Sequence, residues 1–174
     1  MIWFTADTHF SHPFISQSRG FKSTSQHDDA IIQGWNSAVG RGDCVVVIGD
    51  VFWDVYDHIL AIWKVLHGSK IVVKGNHDHK WFKKVPQKEE KIYEKNYKVK
   101  GGKQHVVCCH YPMRSWNKKI HGAIHVHGHC HGKVAPHWRM MDVGVDVAKV
   151  MFDQWRPFSL DEIIYLTQDR RFNK

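Results

Sequence analysis

The chain has 174 residues, of which 43% are hydrophobic, and it carries a formal net charge of +8 and 15 histidines. This length suits one domain over residues 1–174, and the hydrophobic content is sufficient for a packed core, which excludes a disordered chain. No run approaches the ~20 apolar residues of a membrane-spanning helix, and no secretory signal opens the sequence. We therefore expect a soluble, cytoplasmic protein with no membrane partner.

The first half of the chain alternates predicted strands with predicted helices. Strands are predicted at residues 2–6, 45–48 and 71–74, and helices at about 28–39 and 55–66. The second half reads mainly as strands, at about 97–100, 104–109, 124–126 and 139–143, with Gly101 and Gly102 as a hairpin turn. A last helix begins at Ser159, which forms a capping box with Glu162. This order predicts an α/β fold of two packed sheets flanked by helices.

Polar residues of the kind that bind metals follow five of the predicted strands. Asp7 and His9 follow the first strand, Asp50 the second and Asn76 the third, while His110 and then His129 and His131 follow two later strands. Open α/β sheets place their active sites at the carboxyl ends of the strands, so we expect these side chains to meet.

The spacing and chemistry of these residues predict a metal site. Asp7 and His9 are two residues apart, so in an extended chain both side chains would leave one face and could hold one ion. His129 and His131 repeat this spacing, and they could hold one ion or contact two neighbouring ions. Asp50 could bridge two cations. Nitrogen and oxygen ligands without a thiolate favour Mn²⁺, Fe, Zn²⁺, Co²⁺ or Ni²⁺ over Ca²⁺ and Mg²⁺.

The balance of formal charge points to a phosphate ester as substrate. Two divalent ions exceed the charge of Asp7, Asp50 and one bridging hydroxide by a single positive charge. His77, beside Asn76, is the candidate that faces the leaving oxygen, as a general acid or as a hydrogen-bond donor in the transition state.

These motifs resemble the calcineurin-like metallophosphoesterase superfamily. The pattern D-x-H, GD, GNH[DE], H, GHxH is matched in order between residues 7 and 131, and the segments 5–10 and 110–117 look like small bacterial and phage members. The resemblance implies a four-layer αββα sandwich with two mixed β-sheets and a dinuclear centre that takes two divalent ions, Mn²⁺ first. It assigns one ion to Asp7, His9, Asp50 and His131, the other to Asp50, Asn76, His110 and His129, and leaving-group assistance to His77.

The chain departs from the protein phosphatases of that superfamily, whose motif is GD-x-x-D-R. Here the third residue after Asp50 is Trp53 and the fourth is Asp54, so the usual acidic and arginine residues are absent from those places. Asp54 or Asp78 are candidates to orient His77, and Arg114 is a candidate to bind phosphate. A phosphoprotein substrate is disfavoured.

We therefore expect a metal-dependent phosphoesterase, with a preference for small, nucleotide-like phosphodiesters. Two alternatives keep the chemistry and change the substrate: a phosphomonoesterase, or a nuclease whose lysines, at positions 80, 83, 84 and 88, follow a polynucleotide backbone. A catalytically inactive binding scaffold is a third alternative, against which the complete ligand set and the intact His77 argue. The sequence leaves the oligomeric state open.

Overall fold

The structure is a computed structural model that describes residues 1–53, 56–78, 91–93, 97–101 and 104–168. These residues form an α/β sandwich of two mixed sheets flanked by helices, which confirms the predicted fold class. The helices are α1 (Pro13–Ser18), α2 (Thr24–Ala38), α3 (Tyr56–Val65), α4 (Val145–Phe152) and α5 (Leu160–Gln168). None of the helices in the described ranges is long and apolar enough to cross a membrane.

The first sheet has five strands, β1 (Ile2–Thr5), β2 (Cys44–Ile48), β3 (Ser69–Val73), β4 (Lys91–Tyr93) and β9 (Phe158–Ser159). Their order across the sheet is β4-β3-β2-β1-β9, with β1 to β4 parallel and β9 antiparallel to β1. The three parallel strands β1, β2 and β3 therefore end at one edge, as the sequence predicted.

The second sheet has four strands, β5 (Tyr97–Gly101), β6 (Gln104–Cys108), β7 (Ile124–His127) and β8 (Met140–Asp142), in the order β5-β6-β7-β8. The strands β6, β7 and β8 are parallel, and β5 is antiparallel to β6 with Gly101 opposite Gln104. That pairing agrees with the predicted hairpin, although Gly102 lies outside the described residues.

Alternation along β2 divides the core into two layers. Val45 and Val47 face the helical side, where they join Ile31 and Trp35 of α2 and Ile62 of α3 in one buried cluster. Val46 and Ile48 face the second sheet and join a cluster that includes Val106, Ile124 and Val126. On the far side of the second sheet, Val107 and Met140 pack against Trp116. The sheets are thus held together by a continuous apolar layer.

Two predicted helix starts can be checked against their caps. The box at Ser159 is confirmed, because its backbone N–H donates to Glu162 Oε2 at 2.8 Å and the Glu162 N–H donates to Ser159 Oγ at 3.2 Å. Helix α2 begins at Thr24, four residues before the predicted start, because the hydroxyl of Ser23 accepts the N–H of Gln26 and caps the helix there. The short helices α1 and α4 were not predicted.

Candidate metal centre

The loops that follow the strands are tied to one another by backbone hydrogen bonds. The N–H groups of Asp7 and His9 each donate at 3.0 Å, to the carbonyls of Gly49 and Asp50. The N–H of Gly128 donates to the carbonyl of His110 at 3.1 Å. These bonds fix the ligand-bearing loops at one end of the sandwich, so their side chains converge.

Asp7, His9 and His131 form the first of two neighbouring groups. One ligand atom from each residue lies within 4.8 Å of the other two. The rings of His9 and His131 are stacked, with centroids 5.3 Å apart. This group joins a loop of the first sheet to a loop of the second.

Asp50, His110 and His129 form the second group, again with ligand atoms within 4.8 Å of one another. The amide oxygen of Asn76 belongs with them, since it lies 3.1 Å from His110 Nε2 and 2.9 Å from His129 Nδ1. The two histidines of the GHCH motif, His129 and His131, therefore belong to different groups, the arrangement in which each would contact its own ion.

Asp50 lies between the two groups. Its Oδ2 atom is 3.3 Å from His110 Nε2 in the second group and 3.9 Å from His9 Nε2 in the first. Its Oδ1 atom accepts the backbone N–H of His77 at 2.9 Å, which holds the carboxylate in this orientation. The sequence expectation that Asp50 can serve two cations therefore has a matching geometry.

The backbone at these residues differs from the extended chain assumed from the sequence. Asp7, His9, Asp50, His129 and His131 all have left-handed backbone conformations, with φ between 47° and 68°. Such conformations cost non-glycine residues on the order of 1 kcal/mol or more each, and they cluster at functional sites. Tight left-handed turns, and not an extended strand, bring Asp7 and His9 to the same group.

Two glycines of the motifs are needed because the loops pack so closely. A Cβ atom on Gly75 would lie 2.2 Å from Asp50 Oδ1 and 2.7 Å from the backbone nitrogen of Asp50. A Cβ atom on Gly49 would lie 2.5 Å from His110 Nδ1, and this glycine also has a φ of +80°. Both positions therefore exclude larger residues.

The ring orientations of two histidines are fixed by partners on their Nδ1 atoms. His110 Nδ1 is 2.9 Å from the carbonyl oxygen of Ile48, and His131 Nδ1 is 2.7 Å from Asp146 Oδ2. His110 Nε2 is thereby left to face Asp50 and Asn76. Carboxylate or carbonyl partners of this kind set the tautomer of metal-binding histidines.

Asp146 is held in turn by Arg19. The guanidinium donates from Nε to Asp146 Oδ1 at 2.8 Å and from Nη2 to Oδ2 at 2.6 Å. It also donates to the carbonyls of Asp7 and Thr8, at 2.7 and 3.1 Å. Neither Arg19 nor Asp146 was predicted from the sequence. The strand-end rule could have indicated Asp146, which follows β8 closely, but no signal in the sequence marks Arg19.

His77 and Asp78 occupy different environments. The ring of His77 is exposed, with its centroid 5.9 Å from that of His9, so it borders the cluster on its open side. The carboxylate of Asp78 is buried and accepts the N–H groups of Asp50, Val51 and Gly75 at 2.7–2.9 Å. Asp78 therefore links the loop that follows β2 to the loop that follows β3. Its contact with His77 or with substrate stays a prediction.

The other expected substrate-binding groups lie apart from the cluster or outside the described residues. Arg114 is exposed and lines a surface cavity of about 290 Å³ with Met113 and His137. Asp54 and the lysines at positions 80, 83, 84 and 88 lie outside the described residues. A phosphate contact by Arg114 and a polynucleotide track along the lysines both stay predictions.

Two pKa shifts show how unusual the electrostatics of the cluster are. Burial raises the pKa of Asp7 to about 7. Burial alone would lower the pKa of His110, but its hydrogen bond to Asp50 and the charges of Asp7 and Asp50 raise it to about 9. The charged form of the Asp7 carboxyl group is thus disfavoured by burial, and a bound cation would stabilise it.

The side chains present fit a divalent ion. His9 Nε2 is buried and, within the part of the chain that the structure describes, has no hydrogen-bond partner. A buried imidazole nitrogen without a partner lowers the stability of the folded chain unless some group binds its lone pair. It faces a carboxylate and other imidazoles, so a cation is the group that satisfies it. These two candidate ligand groups indicate a site for divalent metals.

Comparisons with known proteins found relatives in sequence and one solved structure of the same fold. No family model matches the chain. Gene 66 protein of Mycobacterium phage L5 is 28% identical, over 83% of this chain and 86% of its own length, and Gene 66 protein of phage D29 is 25% identical, over 83% and 87%. The crystal structure of AQ665 from Aquifex aeolicus, a protein of unknown function, has a TM-score of 0.71 and 24% identity over 95% of this chain and 98% of its own. Yfce, a phosphoesterase from E. coli, has a TM-score of 0.45 and 17% identity over 83% and 78%. The chain shares the fold of the Aquifex protein.

Proposed function

We propose that this chain is a phosphoesterase that holds two divalent ions, Mn²⁺ being the first choice, and hydrolyses phosphate esters between them. The observation that carries the proposal is the position of Asp50, whose Oδ2 atom lies within 4 Å of imidazole nitrogens from both ligand groups. Two ions that share one carboxylate lie close enough to act on the same substrate. When bound, such ions lower the pKa of a water molecule and neutralise charge on the phosphoryl group.

The protein's own residues have distinct tasks in this proposal. Asp7, His9 and His131 hold one ion, Asn76, His110 and His129 hold the other, and Asp50 is common to both. His77 borders the open side and donates a hydrogen bond or a proton to the leaving oxygen. The backbone N–H of His77 is bonded to Asp50, so its position depends on the same carboxylate that joins the two groups.

We further propose that the substrate is a small phosphodiester of the nucleotide type. The formal charge of the site supports this substrate. Two divalent ions, the carboxylates of Asp7 and Asp50 and one hydroxide together carry a single positive charge, which suits the single negative charge of a diester. We also propose that the protein is cytoplasmic and that residues 1–174 form a single domain.

The proposal is tested with bis-p-nitrophenyl phosphate. Protein stripped of metal by chelation should be inactive and should regain turnover when Mn²⁺ is added. Asp50→Asn should lower the occupancy of both sites, whereas Asp161→Asn, at an exposed position of α5, should bind metal as the unmodified protein does. Full activity after thorough chelation, or two bound ions per chain in Asp50→Asn, would refute the proposal.

A further inference from the structure

An exposed aromatic surface borders the metal centre on the side of His77. The indole of Trp53 lies over the imidazole of His12, with ring centroids 4.0 Å apart and an interplanar angle of 33°. The centroid of Trp53 is also 5.8 Å from that of His77. We call Trp53 and His12 the aromatic platform.

The aromatic platform is continuous with the cluster. The ring of His12 is 5.5 Å from that of His9, a member of the first ligand group, and the ring of His77 is 5.9 Å from His9 as well. Trp53 therefore neighbours both His12 and His77, and each of these two rings neighbours His9. A molecule bound at the cluster and extending past His77 would meet Trp53 next.

Both members of the platform are held in place by the backbone. The N–H of Trp53 donates to the carbonyl of Phe10 at 2.9 Å, and the isolated bridge between Phe10 and Phe52 ties the same two loops. His12 is the N-cap of α1. Trp53 is nevertheless 41% exposed, so a flat apolar surface meets solvent beside the site.

We infer that the platform binds a planar aromatic group of the substrate, such as a nucleobase or an aryl ring, on the leaving-group side of the phosphate. This inference rests on the proposed function for the location of the phosphate. A flat aromatic ring stacks on an indole in an offset or edge-to-face arrangement, which adds to the free energy gained from the buried area. Base stacking on aromatic side chains is tolerant of sequence, since every base has a π-face.

Inhibition of bis-p-nitrophenyl phosphate hydrolysis tests the platform with a matched pair of ligands. Adenosine 5′-monophosphate and ribose 5-phosphate present the same phosphate, and only the first carries a base. We expect the nucleotide to bind on the order of tenfold more tightly to the unmodified protein. Trp53→Ala should abolish that difference, Trp53→Phe should retain most of it, and Tyr165→Ala, which truncates a 71%-exposed aromatic on α5, should leave it unchanged.

A second measurement does not depend on activity. In zinc-loaded protein labelled with ¹⁵N, the indole resonance of Trp53, assigned by its loss in Trp53→Phe, should shift with adenosine 5′-monophosphate and not with ribose 5-phosphate. Equal inhibition by both ligands, or a resonance that neither moves, would overturn the inference. Absence of any hydrolysis by the metal-loaded protein would instead count against the proposed function, and the indole resonance would still decide for or against the platform.

Discussion

Substitution of Asp146 tests whether a residue that contacts no substrate controls the metal centre. In Asp146→Ala the ring of His131 loses the acceptor 2.7 Å from its Nδ1 atom, and Arg19 loses two of its hydrogen bonds. Removing the hydrogen-bond partner of a metal-binding histidine weakens metal affinity by about 10- to 100-fold. We expect that loss at the group formed by Asp7, His9 and His131, with a smaller effect at the other group.

The same substitution should also lower stability. The side chain of Arg19 is only 4% exposed, and removal of one partner from a buried ion pair costs about 3–5 kcal/mol. Asp146 itself is 22% exposed, and the guanidinium keeps its bonds to the carbonyls of Asp7 and Thr8, so we expect the lower end, about 3 kcal/mol. Asp146→Asn keeps an acceptor of the same shape and should cost less.

Titration with free metal, followed by measurement of bound ions per chain, gives the affinities, and urea unfolding of the metal-free protein gives the stability. Asp153→Asn is the matched control, because Asp153 is the C-cap of the same helix, its side chain is 91% exposed, and within the described residues it forms an ion pair with Lys149. If Asp146→Ala bound both ions with the affinity of the control, the proposed orienting role of Asp146 would be wrong.

Three further outcomes are expected. His77→Ala should keep both ions and lose about 10²- to 10⁴-fold in kcat on a substrate with a poor leaving group; an unchanged kcat would reject its role. Gly75→Ala should cost about 1–3 kcal/mol and displace Asp50, whereas Gly42→Ala, where a Cβ meets nothing within 4 Å, should be nearly neutral in urea unfolding. Burial lowers the pKa of His125 to about 4, below its ordinary value of 6.5, so the unfolded chain binds the proton more readily. The free energy of unfolding should therefore fall by about 3 kcal/mol as the pH is lowered from 6.5 to 4, and His125→Gln should flatten that slope.

The strand-end rule accounts for most of what could be predicted from sequence. Each parallel strand is a short apolar run, and the polar residues directly after it must lie at the carboxyl edge, so the convergence of Asp7, Asp50 and His110 needed no knowledge of side-chain packing. The ordered motifs then indicated which neighbouring loops would meet. The strand-end rule depends on residues that are close together along the chain, whereas the grouping of the loops depends on the resemblance carried by motifs between residues 7 and 131.

The strand-end rule could have indicated Asp146 by itself, but not its contact with Arg19. Arg19 and Asp146 are separated by 127 positions, and their contact depends on how α1 and α4 pack at the end of the sandwich. The left-handed backbone of the ligand residues is likewise invisible in a hydrophobic pattern, because it arises from loop-to-loop hydrogen bonds. Asp7 and His9 lie in one candidate group, but they reach it through left-handed turns and not through the extended chain that their spacing suggested.

Each ligand group draws side chains from both sheets, and this has a mechanical consequence. An ion held by Asp7 and His131, or by Asp50 and His110, would fasten one half of the sandwich to the other at a single end. Ligand binding stabilises a folded chain by about 4 kcal/mol when the free ion exceeds its Kd a thousandfold. Loading with metal should thus slow amide hydrogen exchange in β1 and β7 together, because each bound cation would link the two sheets and oppose their separation.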